Sequence, residues 1–143
     1  GADNLMIKLA KCCNPVPGDD IIGFITKGRG ISVHRCDCSN IVALPEEEKQ
    51  RFIHVEWEDL KAGKSYNADI CIIGNDRKGI LSDISRVCED MDIHLSGVNA
   101  KSGRDGSLTM TITLSISSTQ EMQKVLRSLR NISGVTQVYR AKS

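Results

Sequence analysis

Four of the six cysteines fall within the first 40 residues, as Cys12, Cys13, Cys36 and Cys38, and His34 lies among them. Thiolates and an imidazole in one neighbourhood are the donors that a structural zinc takes, four to a tetrahedron. An extended run from His34 to Cys38 would turn His34, Cys36 and Cys38 to one face. Adjacent Cys12 and Cys13 make a poorer chelate than a pair with two residues between them, and a disulfide joining neighbours would strain the backbone. The plainer reading is that the thiols are small packing groups. A thiol enzyme built on Cys12 or Cys13 with His34 is another; it needs a depressed thiol pKa and a base within hydrogen-bond reach. Basic residues share the stretch. Lys27 and Arg29 stand on a glycine loop, Lys27-Gly28-Arg29-Gly30, with Lys11, Asn14, His34 and Arg35 near in sequence. Such a set can grip phosphates, although a loop with two basic residues is also often just a solvated tip.

The elements around these residues predict a small α+β module over 1–60. Residues 5–10 are an apolar run, either a short strand or a helical turn. Pro15 and Pro17 forbid helix, and Gly18-Asp19 signals a turn. Residues 21–26 and 31–34 read as strands of a hairpin whose loop needs the two glycines. Ser39 is the expected N-cap of a short helix through Leu44. Pro45 ends that helix or starts another turn, with Glu46, Glu47 and Glu48 behind it, acids that suit a helix N-terminus electrostatically. Ile53, Val55 and Trp57 alternate with His54 and Glu56, which predicts a half-buried strand over 51–57 with Trp57 in the core. A polar stretch containing Gly63 follows, and the linker is placed at 61–66.

The second module, 67–143, has clearer periodicity. Residues 68–73 are β-rich. Ile80, Leu81, Ile84, Val87, Cys88 and Met91 fall on one helical face. Ile93 and Leu95 alternate, and Val98 and Ala100 continue one residue out of phase, which predicts a β-bulge at Gly97. A hairpin loop over 102–106 leads into a strand with Leu108, Met110, Ile112, Leu114 and Ile116 on its buried face. Ser118-Thr119-Gln120-Glu121 matches a capping box opening a helix that buries Met122, Val125, Leu126 and Leu129. Gly134 and a last strand over 135–140 complete β-α-β-β-α-β, the ferredoxin-like pattern. Cys71, Cys88, His54 and His94 read as packing or surface residues.

Composition excludes several classes. At 40% apolar and 26% charged residues the chain is globular rather than disordered. Apolar runs are too short to span a bilayer, and no signal-peptide pattern opens the chain. Clustered cysteines without such a signal point to reduced thiols in the cytosol. The net charge of +1 hides blocks of +1, −4 and +4 over 1–44, 45–60 and 61–143. None of these is the broad basic face of a non-specific nucleic-acid binder, so an RNA contact must use local clusters.

Two motifs add a resemblance. Leu9-Ala10-Lys11-Cys12-Cys13-Asn14-Pro15-Val16-Pro17-Gly18-Asp19 and Gly23-Phe24-Ile25-Thr26-Lys27-Gly28-Arg29-Gly30-Ile31-Ser32-Val33-His34 closely resemble the module before the terminal ACT domain in the RelA/SpoT (Rel) family. Those are the long bacterial enzymes that make and hydrolyse the alarmone (p)ppGpp. Asn75-Asp76-Arg77-Lys78-Gly79-Ile80-Leu81-Ser82-Asp83-Ile84 is similar to the corresponding part of the ACT domain. The resemblance covers nearly the whole chain; its first motif is highly specific, whereas the ACT pattern fits many amino-acid-controlled enzymes.

This resemblance implies a C-terminal regulatory fragment, not itself an enzyme, of a GTP pyrophosphokinase or (p)ppGpp hydrolase with catalytic domains upstream on the same polypeptide. The first module, called a zinc-finger or ribosome-intersubunit domain, would contact ribosomal RNA. Cys12, Cys13, His34 and Cys38 occupy the positions from which the zinc-finger name derives, and Cys36 is an extra candidate. The ACT module implies a cytoplasmic sensor, often dimeric, that takes an amino acid, branched-chain in some Rel proteins, at the turn between its first strand and helix. Asn75, Asp76, Arg77, Lys78, Gly79, Ile80 and Leu81 would form that effector site. The helix N-terminus would receive the carboxylate and Gly79 would allow close approach. Asn75 or Asp76 would take the ammonium, and Ile80 and Leu81 would line an apolar pocket or pack inside. A tight turn without a ligand is the competing reading.

Overall fold

The computed structural model describes residues 6–28, 30–60 and 65–141. They fall into two compact units, 6–60 and 65–141. Residues 61–64 of the expected linker, and Arg29 at the hairpin tip, lie outside the described residues.

The first unit is built on a four-stranded sheet. Its strands are β1 (Met6–Leu9), β2 (Ile21–Ile25), β3 (Gly30–Arg35) and β4 (Phe52–Ile53), in the order β1-β3-β2-β4. β2 and β3 form the expected hairpin. The apolar run near the start resolves as a strand, pairing parallel with β3 from Met6↔Gly30 to Leu9↔Val33. Alternation along β3 splits its side chains: Ile31, Val33 and Arg35 are buried on one face, while Ser32 and His34 lie on the other. Cys13, Cys38 and Ile41 make a small core packed by Ala10, Ile22, Leu44 and Phe52.

Three local expectations are corrected here. The helix α1 (Ser39–Val42) starts one residue earlier than read, because Cys38, not Ser39, is its N-cap. No side chain caps it, and the helix stops short of Leu44. The Cys38 carbonyl accepts from Ile41 and Val42. Behind Pro45 the glutamates open a 3-10 segment, Glu46–Arg51, the further turn that Pro45 allows. The strand expected over 51–57 is only the pair Phe52–Ile53, because it has five-residue β2 as its partner and meets it at two positions. Trp57 begins a single 3-10 turn; its indole N–H donates to the Asp19 carbonyl at 3.0 Å, and its ring is half-buried.

The second unit is the ferredoxin-like β-α-β-β-α-β: β5 (Tyr66–Asn75), α2 (Ile80–Asp90), β6 (His94–Ser102), β7 (Ser107–Ile116), α3 (Thr119–Arg130) and β8 (Val135–Arg140). The sheet order is β6-β7-β5-β8, antiparallel throughout. β5 and β7 pair over ten positions, Tyr66↔Ile116 to Asn75↔Ser107. All five apolar residues read on β7, and all four on α3, are buried. The register slip falls between Leu95 and Gly97, where Ser96 is the extra residue. Ser118 caps α3, its hydroxyl accepting from the Glu121 N–H. The return bond of the capping box lands on the Ser117 N–H at 2.8 Å instead of that of Ser118. On α2 the buried stripe is narrower than read: Ile80, Ile84 and Cys88, at fourfold spacing, are inside, and Leu81 is 46% exposed.

Candidate metal centre and effector turn

The turn after β1 brings Cys12 and Cys13 beside the end of β3. Asn14 takes a positive φ of 47° there, and its N–H returns to the Ala10 carbonyl at 3.0 Å. One donor atom from each of Cys12, Cys13, His34 and Cys38 lies within 4.8 Å of every other. Cys12 Sγ is 3.4 Å from His34 Nδ1 and 3.6 Å from Cys38 Sγ; Cys13 Sγ is 3.8 Å from His34 Nδ1. A tetrahedral zinc with ordinary bond lengths has S···S edges of about 3.8 Å and S···N edges of about 3.6 Å. The three separations match those edges, so the donor set fits a structural metal. Adjacent cysteines serve here because the chain turns sharply at them.

The surroundings complete the fit. His34 Nε2 lies 3.0 Å from Ser32 Oγ, the kind of outer partner that orients a ligating imidazole. The Arg35 N–H donates to Cys13 Sγ at 3.3 Å. Burial above all, with the neighbouring sulfurs of Cys38 and Cys12, pushes the Cys13 thiol up to about 12, against the lowering by that N–H. A bound divalent cation would supply the charge that makes it a thiolate. Cys36 is exposed and stands outside the four, because β3 ends at Arg35 and the chain turns, the Cys38 N–H reaching the Arg35 carbonyl. The extended run that would have aligned His34, Cys36 and Cys38 is not formed.

Among the phosphate-binding candidates, Lys11 and Lys27 are exposed and Asn14 is half-buried in the turn. Arg35 is corrected: it is 7% exposed, its guanidinium makes two 2.8 Å bonds to Asp37 and one to the Cys13 carbonyl, and it braces the cluster instead of facing solvent. His34 likewise faces the sulfurs.

At the other candidate site, Gly79 takes φ +85° as the N-cap of α2, a left-handed conformation that favours glycine, and no side chain caps the helix. Asn75 and Asp76 donate their N–H groups to Gly134 and Gly106 carbonyls and are exposed. Arg77 is a staple. It donates to the Ser133 and Lys78 carbonyls and, at 2.6 Å, to Asp83, whose carboxyl this bond holds below its usual range. Ile80 packs inside, Leu81 faces out, and Lys78 is exposed. The turn thus presents an uncapped helix start with Asn75, Asp76 and Lys78 around it, while Arg77 is engaged. Sequence reasoning missed the stapling and clamping roles of Arg77 and Arg35; the nearby Asp83 and Asp37 were the only signal. No described helix is long and apolar enough to cross a membrane.

Residues 1–58 match the RelA/SpoT RIS domain and residues 62–140 the ACT domain. A GTP pyrophosphokinase of Streptomyces coelicolor is 38% identical over all of this chain and 17% of its own length. The bifunctional (p)ppGpp synthase/hydrolase RelA of Mycobacterium tuberculosis is 36% identical over all of this chain and 19% of its own. The chain therefore spans less than a fifth of the length of these relatives. The crystal structure of the ACT domain from GTP pyrophosphokinase of Chlorobium tepidum aligns with TM-score 0.48 and 25% identity, covering 54% of this chain and 99% of that one. By its two matched domains, the chain belongs to the RelA/SpoT family, as a RIS domain followed by an ACT domain.

Proposed function

We propose that this chain is the regulatory region of a (p)ppGpp synthetase/hydrolase, reading the state of the ribosome through its first unit and an amino acid through its second. The observation that carries the reading is the tandem match of both domains, supported by similarity, along the whole of this chain, to less than a fifth of a GTP pyrophosphokinase and of a (p)ppGpp synthase/hydrolase. The first unit, placed at 1–60, would dock on ribosomal RNA with Lys11 and Lys27 on phosphates, joined by Arg29, and a zinc at Cys12, Cys13, His34 and Cys38 would hold the docking surface in shape. The ACT unit, placed at 67–143 after a linker at 61–66, would form a homodimer. It would take a branched-chain amino acid at the α2 start, its carboxylate on the first-turn N–H groups and its ammonium near Asn75 or Asp76. Control would pass to catalytic domains of the same polypeptide, in the cytoplasm.

A thiol enzyme is the weaker reading. It finds the Cys12 sulfur 3.4 Å from an imidazole, but two further sulfurs crowd the same ring, and burial pushes the Cys13 thiol up, away from a ready thiolate. The test is co-sedimentation of the chain with purified ribosomes over a salt series. Lys11→Ala with Lys27→Ala is expected to weaken binding and to flatten the slope of log K against log salt by roughly 0.7–0.9 for each lost phosphate contact. A folded chain that fails to sediment with ribosomes at low salt refutes the ribosomal half. An NMR titration with valine or isoleucine that leaves 75–81 unshifted refutes the effector half.

A further inference from the structure

A groove of about 490 Å³ lies beside the tip of the β2–β3 hairpin, a volume within the range of small-ligand sites. The register explains its composition. Met6 stands opposite Gly30 and Lys8 opposite Ser32, so the four share one sheet face, and Thr26 and Gly28 of the hairpin loop close the end. The Thr26 hydroxyl donates to the Gly30 carbonyl and accepts the Gly30 N–H, both at 3.0 Å, which ties Thr26 to the start of β3. Ser32 is tied through His34 to the Cys/His cluster. Two glycines leave bare backbone in the wall. Met6 is 63% exposed, an apolar and polarisable side chain with no core duty. Among the described residues no acid lines the groove; Asp19, Asp20 and Asp37 stand at the opposite end of the hairpin, beyond the start of β2 and the end of β3. Lys8 and neighbouring Lys27 give the tip a positive field.

We propose that this groove, between β1 and the hairpin tip, holds one unstacked nucleotide of a single-stranded RNA segment. The base lies against Met6, its edge meets the Ser32 hydroxyl and the backbone at Gly28 and Gly30, and its phosphate sits on Lys8. Met6 gives the base an apolar, adaptable contact in place of an aromatic plane, and the hydroxyl, the backbone groups and the lysine supply the edge and phosphate contacts of single-strand recognition. The proposal rests on the RNA-docking reading of the first unit and adds where a base, rather than the backbone alone, is taken.

The test uses the whole chain, isotope-labelled, titrated with hexaadenylate as the probe. Gly28, Gly30 and Ser32 amides are expected to shift and saturate. Lys8→Ala should flatten the salt slope by about 0.7. Gly28→Leu should weaken hexaadenylate by about tenfold by occupying the space of the base. A Cβ at Gly28 meets nothing within 4 Å, so the new side chain starts in open space, and unchanged amide dispersion of the variant checks its fold. If ribosomes or duplex RNA bind while the groove amides stay still and Gly28→Leu binds as the wild type does, the groove proposal is overturned and the docking reading stands. If wild type binds neither ribosomes nor any RNA, both fall. Salt-independent protection of the Met6–Leu9 amides on ribosome binding, the mark of a protein strand paired along β1, also overturns it.

Discussion

Removal of metal is expected to unfold the first unit and leave the second intact. The four donors come from three separated places, the turn at Cys12 and Cys13, the end of β3 and the start of α1, so a metal would add a cross-link to the β1–β3 pairing and the Arg35 bonds that already join them. The apolar interior on that side is small: Cys13, Cys38 and Ile41, of which two are themselves candidate metal donors. Units of this size rarely draw more than about 3–5 kcal/mol from their core. A ligand at a thousandfold excess over its Kd stabilises by about 4 kcal/mol, comparable to that whole margin. A small domain shifts its Tm by about 4–8 °C per kcal/mol, so chelation should move the first transition by more than about 16 °C. Heteronuclear NMR with a strong chelator checks this. Signals from 6–60 should collapse toward random-coil positions while those from 65–141 hold, and added zinc should restore them. Metal-free protein that keeps dispersed signals over 6–60 would refute the reasoning, and the cysteines would then be packing groups.

Other expectations are local. Gly74→Ala would set a Cβ 2.2 Å from the Gly134 carbonyl oxygen, so the β5–β8 seam must shift; a loss of about 1–3 kcal/mol in denaturant unfolding of the second unit is expected. Leu129→Ala, at a fully buried position of α3, should cost about 2–5 kcal/mol in the same assay. Ser118→Ala removes the N-cap acceptor for Glu121 and should cost about 1 kcal/mol. The Asp83 carboxyl is held below its unfolded value by Arg77, so the pair stabilises fully above that unfolded value, about 3.9, and the contribution is lost as pH falls through the lower folded value. Carboxyl NMR should show the Asp83 pKa rising in Arg77→Ala; an unchanged titration would contradict the staple.

The second unit was legible because its signals are local and periodic. Leu108 to Ile116 alternates without error, α3 keeps its face, and Ser118 with Glu121 marks a helix start. The first unit was less so because its strands, of four, five, six and two residues, are defined by partners distant in sequence. Nothing in Met6–Leu9 announces a parallel partner, and the alternation of Ile53, Val55 and Trp57 persists beyond the two residues that find one. The candidate donor set is legible in the sequence, but the spacing rule counts against adjacent Cys12 and Cys13, since it takes no account of a chain that turns at the pair. Arg35 looked like a free cation because its partners, Asp37 and the Cys13 carbonyl, are assembled only by the fold.

The most direct measurement is ribosome co-sedimentation of this chain before and after chelation, with zinc added back. The account predicts that binding is present in the metal-loaded protein, lost with the metal, recovered on zinc addition, and weakened as salt rises. Binding that is absent in every state, or that is indifferent to both metal and salt, would contradict it.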